Sequence, residues 1–170
     1  MTTALTGSVN LNIAANYLSA GDLSTAKDPL SVKKAFTFTN GEGADKAEAV
    51  FHDTRTLALS TSEDLDLYGS LTDAFGNTMN FTKIKMIHIS AADGNTNNVE
   101  IGGAAATQFL GIHKDATDIS VLRPGAWLAW CVPDATGMPC ATGSTDLLKI
   151  ANSGAGTSVT YNIVVIGEIA

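Results

Sequence analysis

Hydrophobic and polar residues alternate with a period of two along much of this 170-residue chain. That spacing puts successive side chains on opposite faces of a β-strand. Val9, Leu11 and Ile13 alternate with Asn10 and Asn12, which predicts a strand over residues 9–15. Residues 31–39 read as the next, with Phe36 and Phe38 on one face, and 49–59 as another with imperfect alternation. In 64–68, Leu65 and Leu67 point inward and Asp64 and Asp66 outward. Residues 81–90 (FTKIKMIHIS) are rich in β-branched side chains and read as a strong strand. Asp-Gly and Asn-rich sequence after it predicts a hairpin turn into a strand beginning at Val99. Strands over 118–123, 126–132, 146–151 and 158–166 complete the series, with Ser153 to Thr157 as the last turn.

Two of these stretches do not alternate. AWLAWCV, residues 126–132, is apolar at Trp127, Ala129 and Cys131 and equally so at Leu128, Trp130 and Val132. SVTYNIVVI near the end is similar. A strand apolar on both faces is expected in the middle of a structure, covered above and below by its own chain or by a neighbouring subunit. The best helical signal is 70–76, with a hydroxyl N-cap candidate, an early acid and a final glycine, and it is one short connector. GGAAATQFL, from Gly102, fits a strand or a helical turn equally well. About nine to eleven short strands, with turn signals about every 8–12 residues, are the signature of an all-β sandwich or barrel. The division expected is an extended N-terminal arm over 1–30, ending in turn-forming SAGDLSTAKDP, and one β-domain over 31–170.

Composition narrows the function. Only 16% of residues are charged, against 45% hydrophobic, and small polar residues fill the surface. Such a surface suits a protein packed against others. A net charge of −7, with Lys33-Lys34 as the longest basic run, argues against nucleic-acid binding. No signal peptide or membrane-length apolar run is recognisable, so the expected product is soluble and made in a cytoplasm. In that reducing setting Cys131 and Cys140, flanking a loop that reads as a hairpin (VPDATGMP), are expected as buried thiols. A disulfide would need the register to set them opposite each other.

Chemistry-bearing clusters are scarce. His52, His88 and His113 form no short-spaced pair of the kind a zinc site uses, and His88, between two isoleucines, is expected to face a polar groove or interface. The run from Asp93 lacks the glycine and closing glutamate of a calcium loop. Glu63, Asp64 and Asp66 read as a solvated outer face. No nucleophile elbow occurs, and the glycine-rich run at Ser153 lacks the lysine of a phosphate loop. The expectation is a protein without catalysis and without cofactors.

Four motifs in the second half carry a resemblance: Val99-Glu100-Ile101-Gly102-Gly103-Ala104, Val121-Leu122-Arg123-Pro124-Gly125, Asp146-Leu147-Leu148-Lys149-Ile150-Ala151-Asn152 and Tyr161-Asn162-Ile163-Val164-Val165-Ile166-Gly167. Over roughly residues 50–167 the chain resembles a group of tailed-bacteriophage virion proteins, departing at Ala126, where a second glycine is usual, and in WLAWC. The resemblance implies an antiparallel β-sandwich, jelly-roll-like, acting as a capsid cement or decoration protein on the outside of the head. Its partners would be the major capsid protein and itself, as a homodimer or homotrimer. A tail or baseplate component is the alternative within a virion, and a carbohydrate-binding module the alternative outside one. Expected contact residues are Val9, Leu11 and Ile13, adding a strand to a neighbour's sheet edge, Arg123 at its corner, and Trp127 or Trp130, whichever faces away from the chain's own core. Ordinary core packing is the competing account of both tryptophans.

Overall fold

The computed structural model describes residues 4–103 and 107–170. Residues 1–3 of the arm, and Ala104 with the rest of the ambiguous run as far as residue 106, lie outside the described residues. Every regular element among the described residues is a strand. In chain order these are β1 (Gly7–Ala20), β2 (Thr25–Asn40), β3 (Lys46–Ala47), β4 (Ala49–Leu57), β5 (Ser62–Asp66) and β6 (Tyr68–Thr72). They are followed by β7 (Thr78–Ala91), β8 (Val99–Gly102), β9 (Ile119–Leu122), β10 (Trp127–Cys131), β11 (Met138–Pro139), β12 (Leu147–Asn152) and β13 (Val159–Ile169).

Two antiparallel sheets form a β-sandwich. One has the order β10-β7-β13-β4, with β11 and β6 also on β7; the other has the order β5-β12-β8-β9. Their inward side chains make one core, with Ile87, Ile89, Ile163 and Val165 from the first sheet against Val99, Ile101, Leu148 and Ile150 from the second. The central strand β13 is buried on alternate residues, including Tyr161. Its other face carries Val164 and Ile166, half-buried, so the reading of this strand as two-sided and central holds.

Several expected local structures give way to others. Residues 70–76 are not helical: β6 runs to Thr72, and Asp73 then closes a tight turn. Its carboxylate accepts the Phe75 and Asn77 amides, each at 2.8 Å, and Gly76 follows at φ +84°. An aspartate side chain bonded to nearby amides offers the backbone a turn in place of a helix. The loop 92–98 is not a hairpin, because β7 and β8 belong to different sheets and the loop crosses between them. The loop before Met138 is not one either. β10 and β11 both run antiparallel to β7, at Met86 and at Ile84, so they are successive segments of one edge. Cys131 pairs with Met86 and the Cys140 amide bonds to the Thr82 carbonyl. That separates the cysteines by about 13 Å along β7, beyond disulfide reach, and both are free thiols. Burial, helped by Asp146 and Asp66, pushes the Cys140 thiol up to about 12.

The turn at Arg123-Pro124-Gly125 is as its composition demands. Gly125 takes φ +74°, and the Ala126 amide returns to the Arg123 carbonyl at 2.8 Å, as in a type II turn. β10 then enters at the edge of its sheet and not at the centre. Its inward residues Leu128 and Trp130 pack on the sandwich core, while its outward face lies under the N-terminal segment. Partial cover from that segment is the physical reason for a two-sided apolar edge strand.

The N-terminal segment departs furthest from an arm ending near residue 30. β1 and β2 pair without interruption from Gly7 with Phe38 to Ala20 with Thr25, reversing through 21–24. Asp28 and Pro29 lie within β2 and not in a turn. Proline is tolerated there because the outer edge of β2 is unpaired along this stretch. The result is a two-stranded ribbon about 45 Å long at ~3.3 Å per residue.

One buried ion pair fastens the ribbon's root. Register breaks in the β7–β13 pairing at Ile166/Gly167 and Glu168/Ile169 take Lys85 out of simple alternation. An alanine Cβ at Gly167 would stand 2.4 Å from the Lys83 carbonyl, so this bulge requires glycine. Lys85 is fully buried and meets Glu168 at 3.0 Å, and its ammonium also donates to the carbonyls of Gly43 and Asp134. Glu168 in turn accepts the Gly43 amide at 2.8 Å and Lys83 at 2.8 Å. Gly43, just beyond β2, is thus held through both its backbone N–H and its backbone carbonyl. Above this clamp, Phe38 packs with Ala47 and Met86, joined by Val9, Cys131 and Ile166.

Two outcomes follow. Ile89→Ala, at a fully buried position, is expected to lower stability in urea unfolding by about 2–5 kcal/mol, whereas Leu23→Ala at the exposed ribbon tip stays within about 0.5 kcal/mol. For Glu168, burial alone raises the carboxyl pKa, but Lys83, the Gly43 amide and Lys85 overcome it and leave it below the ordinary 4.5. A lowered folded-state pKa contributes stability that is present above 4.5 and lost as pH falls through the folded value. Glu168→Gln is therefore expected to cost about 3–5 kcal/mol at pH 7, by stranding Lys85, and to flatten the acid limb of a stability-against-pH curve.

Candidate assembly surface

Cross-strand pairs share a face of the ribbon, so the register sorts its side chains into two sets. On one face stand Val9 with Phe36, Leu11 with Lys34, Ile13 with Val32, Ala15 with Leu30 and Tyr17 with Asp28. On the other stand Ser8 with Thr37, Asn10 with Ala35, Asn12 with Lys33 and Asn16 with Pro29. The ribbon is thus amphipathic, and beyond its root the apolar face is open to solvent. Leu11, Ile13, Leu30 and Val32 are each about half exposed, Tyr17 is 79% exposed, and Leu23 at the tip is fully so.

Near the root that face leans over the outer face of the first sheet, and the two bound an open cleft of about 670 Å³. Leu11, Ile13 and Phe36 line one wall, and Met86, His88 and Trp127 the other. Trp127 is 58% exposed, with the His88 ring tilted beside it at 6.1 Å. His88 Nδ1 is fixed at 3.0 Å from the Leu128 carbonyl. Lys34 lies over the Phe36 ring at 5.2 Å. Burial pushes up the thiol of Cys131, which also faces the cleft. The cleft therefore offers apolar contact with a few polar points, which is the chemistry of a docking surface.

The structure gathers Val9, Leu11, Ile13 and Trp127 around this cleft. It does not bring Arg123 or Trp130 there. Arg123 is exposed after β9. Trp130 packs against the sandwich core, with its ring edge to His113 at 6.4 Å. Burial holds the His113 imidazole below its ordinary range, and its Nε2 sits 3.0 Å from the Ser120 hydroxyl. Leu30, Val32, Lys34 and Phe36 complete the apolar face and were not among the expected contacts. Val32, Lys34 and Phe36 fall in the strand expected over 31–39; Leu30 was lost to reading the preceding Asp-Pro as a turn, and the pairing with β1 gave no signal.

The acidic cluster is only partly a solvated face. Asp64 is exposed, but Glu63 on β5 is half-buried and accepts Arg55 Nε from β4 at 2.8 Å and the Tyr161 hydroxyl from β13 at 2.8 Å. The Glu63 hydrogen bond holds Arg55 firmly protonated. Burial, then Glu63, pushes the Tyr161 phenol well up. This trio ties one sheet to the other. In the loop from Asp93, the Asn97 amide donates to Asn152 Oδ1 and to the carbonyls of Gly154 and Thr157 at 3.0–3.1 Å, so its side chain braces the last turn. Among the described residues no group of three or more His, Cys, Asp or Glu is placed to hold a metal ion.

No protein-family model matches the chain, and no curated protein matches it. Among solved structures it is similar to a chain from Bacillus endospore appendages, described as a novel family of disulfide-linked pili. The similarity covers 78% of this chain and 95% of that one, at 13% identity and a TM-score of 0.36. A likeness that slight transfers neither fold nor function.

Proposed function

We propose that this chain is a structural protein of a tailed-bacteriophage virion, a cement or decoration protein that binds the outside of the head and clamps neighbouring major capsid subunits. The observation that carries an assembly role is the ribbon: about 45 Å of paired strand with an apolar face that the chain's own sandwich leaves largely uncovered. An isolated two-stranded ribbon is marginal in water, and a contiguous exposed apolar strip marks an interaction site. Anchored through Gly43 to a buried ion pair, such a ribbon works as a stiff arm that gains its stability on a neighbour.

The virion setting comes from the four motifs of the second half. The first sheet takes strands first, eighth, third and sixth of the sandwich as neighbours, and the second takes second, seventh, fourth and fifth. We read this order as a jelly roll, an architecture that viral capsid and lectin domains share. Because one fold hosts many functions, the ribbon and the motifs carry the proposal and the fold accompanies it.

Purified chain mixed with expanded, undecorated heads of its phage is expected to sediment with them and to raise their resistance to heat. A variant whose ribbon is cut back to the root, by removing 10–35 and closing a short turn, is expected to keep the sandwich and lose that binding. Failure of the intact chain to bind heads overturns the cement role, and labelled particles showing it at the tail or baseplate assign it there instead.

A further inference from the structure

The apolar face of the ribbon is patterned along its length as well as across it. Its two charges are Lys34, paired with Leu11, and Asp28, paired with Tyr17. The rung midway between them joins Ala14 to Ser31. About that rung the face is complementary to itself. Phe36 and Ala26 are equidistant from it on β2, as are Val9 and Ser19, and Ile13 and Ala15, on β1. In each case a bulky side chain on the root side mirrors a small one on the tip side.

We propose that the ribbon is a homodimerisation arm: two copies stack their apolar faces antiparallel about a two-fold axis at the Ala14–Ser31 rung, and each tip enters the other copy's cleft. A two-fold axis in the plane of the interface, across the ribbons, lays β2 over β2 and reverses its direction. Lys34 of each copy then faces Asp28 of the other, Phe36 faces Ala26, Val9 faces Ser19, and Tyr17 covers Leu11. Two ribbons stacked parallel would instead press Phe36 on Val9, leave Ala26 facing Ser19, and bury Lys34 against Leu11. Charge and volume both select the antiparallel arrangement.

Area decides how far the contact must extend. Two strands ~4.8 Å apart and about 45 Å long present a strip of roughly 450 Å², so two ribbons alone bury about 900 Å². A stable interface needs ~1,200–2,000 Å². The antiparallel stack supplies the remainder, because it carries each tip to the root of the other ribbon, where the cleft lies. Leu18 breaks the polar face near the tip. It arrives there on the side turned to the second copy's sheet, opposite the exposed Trp127. A second copy thus accounts for the apolar ribbon face, the apolar tip and the cleft.

This inference rests on reading the ribbon as an assembly element and not on the virion setting, so the two fail separately. The test is the oligomeric state of the full chain by sedimentation and light scattering. Wild type is expected to be dimeric. Lys34→Asp and Asp28→Lys, both at exposed positions, are each expected to weaken the dimer roughly tenfold, since two symmetric contacts turn from attractive to repulsive. An equimolar mixture of the two variants is expected to recover wild-type affinity as a heterodimer, in which every substituted position meets an opposite charge. A monomeric or trimeric wild type overturns the arrangement, as does a mixture no tighter than either variant alone. A monomer that still binds heads would leave the cement role standing, and a dimer that ignores them would leave the arm standing.

Discussion

The structure turns on a lysine and a glutamate shut away from solvent. Burying two charges is expensive unless both are paired and their remaining hydrogen-bonding groups are used. Here they are: Lys85 meets Glu168 and two backbone carbonyls, and Glu168 meets Lys83 and a backbone amide. A hydrophobic pair of similar volume could fill the same space, but it could not hold Gly43 through both its backbone N–H and its backbone carbonyl. The pair therefore fixes geometry more than it adds stability. It fixes where the chain leaves the sandwich at Gly43.

That anchor lets the first sheet use both of its faces. Its inner face packs on the second sheet and its outer face, at Met86, Cys131 and Ile166, receives the root of the ribbon. Beyond the root the two surfaces diverge, and apolar residues continue up both walls. A chain that closed the cleft itself would be a three-layer monomer. Left open, the cleft exposes apolar area at Leu11, Ile13 and Trp127, and for the proposed second copy a preorganised cleft would lose less ordering entropy on binding.

Legibility in the sequence followed the local physics. Strands with strong alternation were readable one by one: Leu65 and Leu67 point inward as expected, and Tyr161, Ile163 and Val165 are fully buried. The motif ending in Asn152 was readable as a strand, and the run after it as a turn. Its side-chain amide is buried and donates to the carbonyls of Ala58 and Thr157, which stitches the final turn in place. Partnership between strands was not readable. The loop after β7 has hairpin composition, but the strand it leads to is taken by the other sheet, a choice made by packing and not by the turn. Lys85 gave no signal because a bulge, which depends on a register only the partner strand sets, takes it off the core face of Ile87 and Ile89 and buries it against Gly43 and Asp134. Glu63 was hidden for the same reason, since its partners come from two other strands. Of the cleft's lining, Val9, Leu11 and Ile13 were legible as an alternating strand and Trp127 as either an interface or a core residue, whereas residues 25–30 of the ribbon's second strand were obscured by Asp28-Pro29.

Charge distribution completes the account of the ribbon as an arm. Residues 7–40 carry Lys27, Lys33 and Lys34 against Asp22 and Asp28, so they are slightly cationic on a chain whose net charge is −7. All the net negative charge therefore lies outside the ribbon. In the proposed dimer, an arm of opposite sign to the other copy's body would be drawn toward it at long range, while the like-charged bodies would resist collapsing onto one another face to face. Such complementarity acts on encounter and on the choice of docking geometry more than on final affinity. In that dimer the affinity would come from the apolar strip and the cleft, where few charges need to be stripped of water. The dimer proposal therefore places encounter by charge and retention by apolar area on different faces of the same two strands, with Lys27 and Lys33 on the polar face and Leu11, Ile13, Val32 and Phe36 on the other.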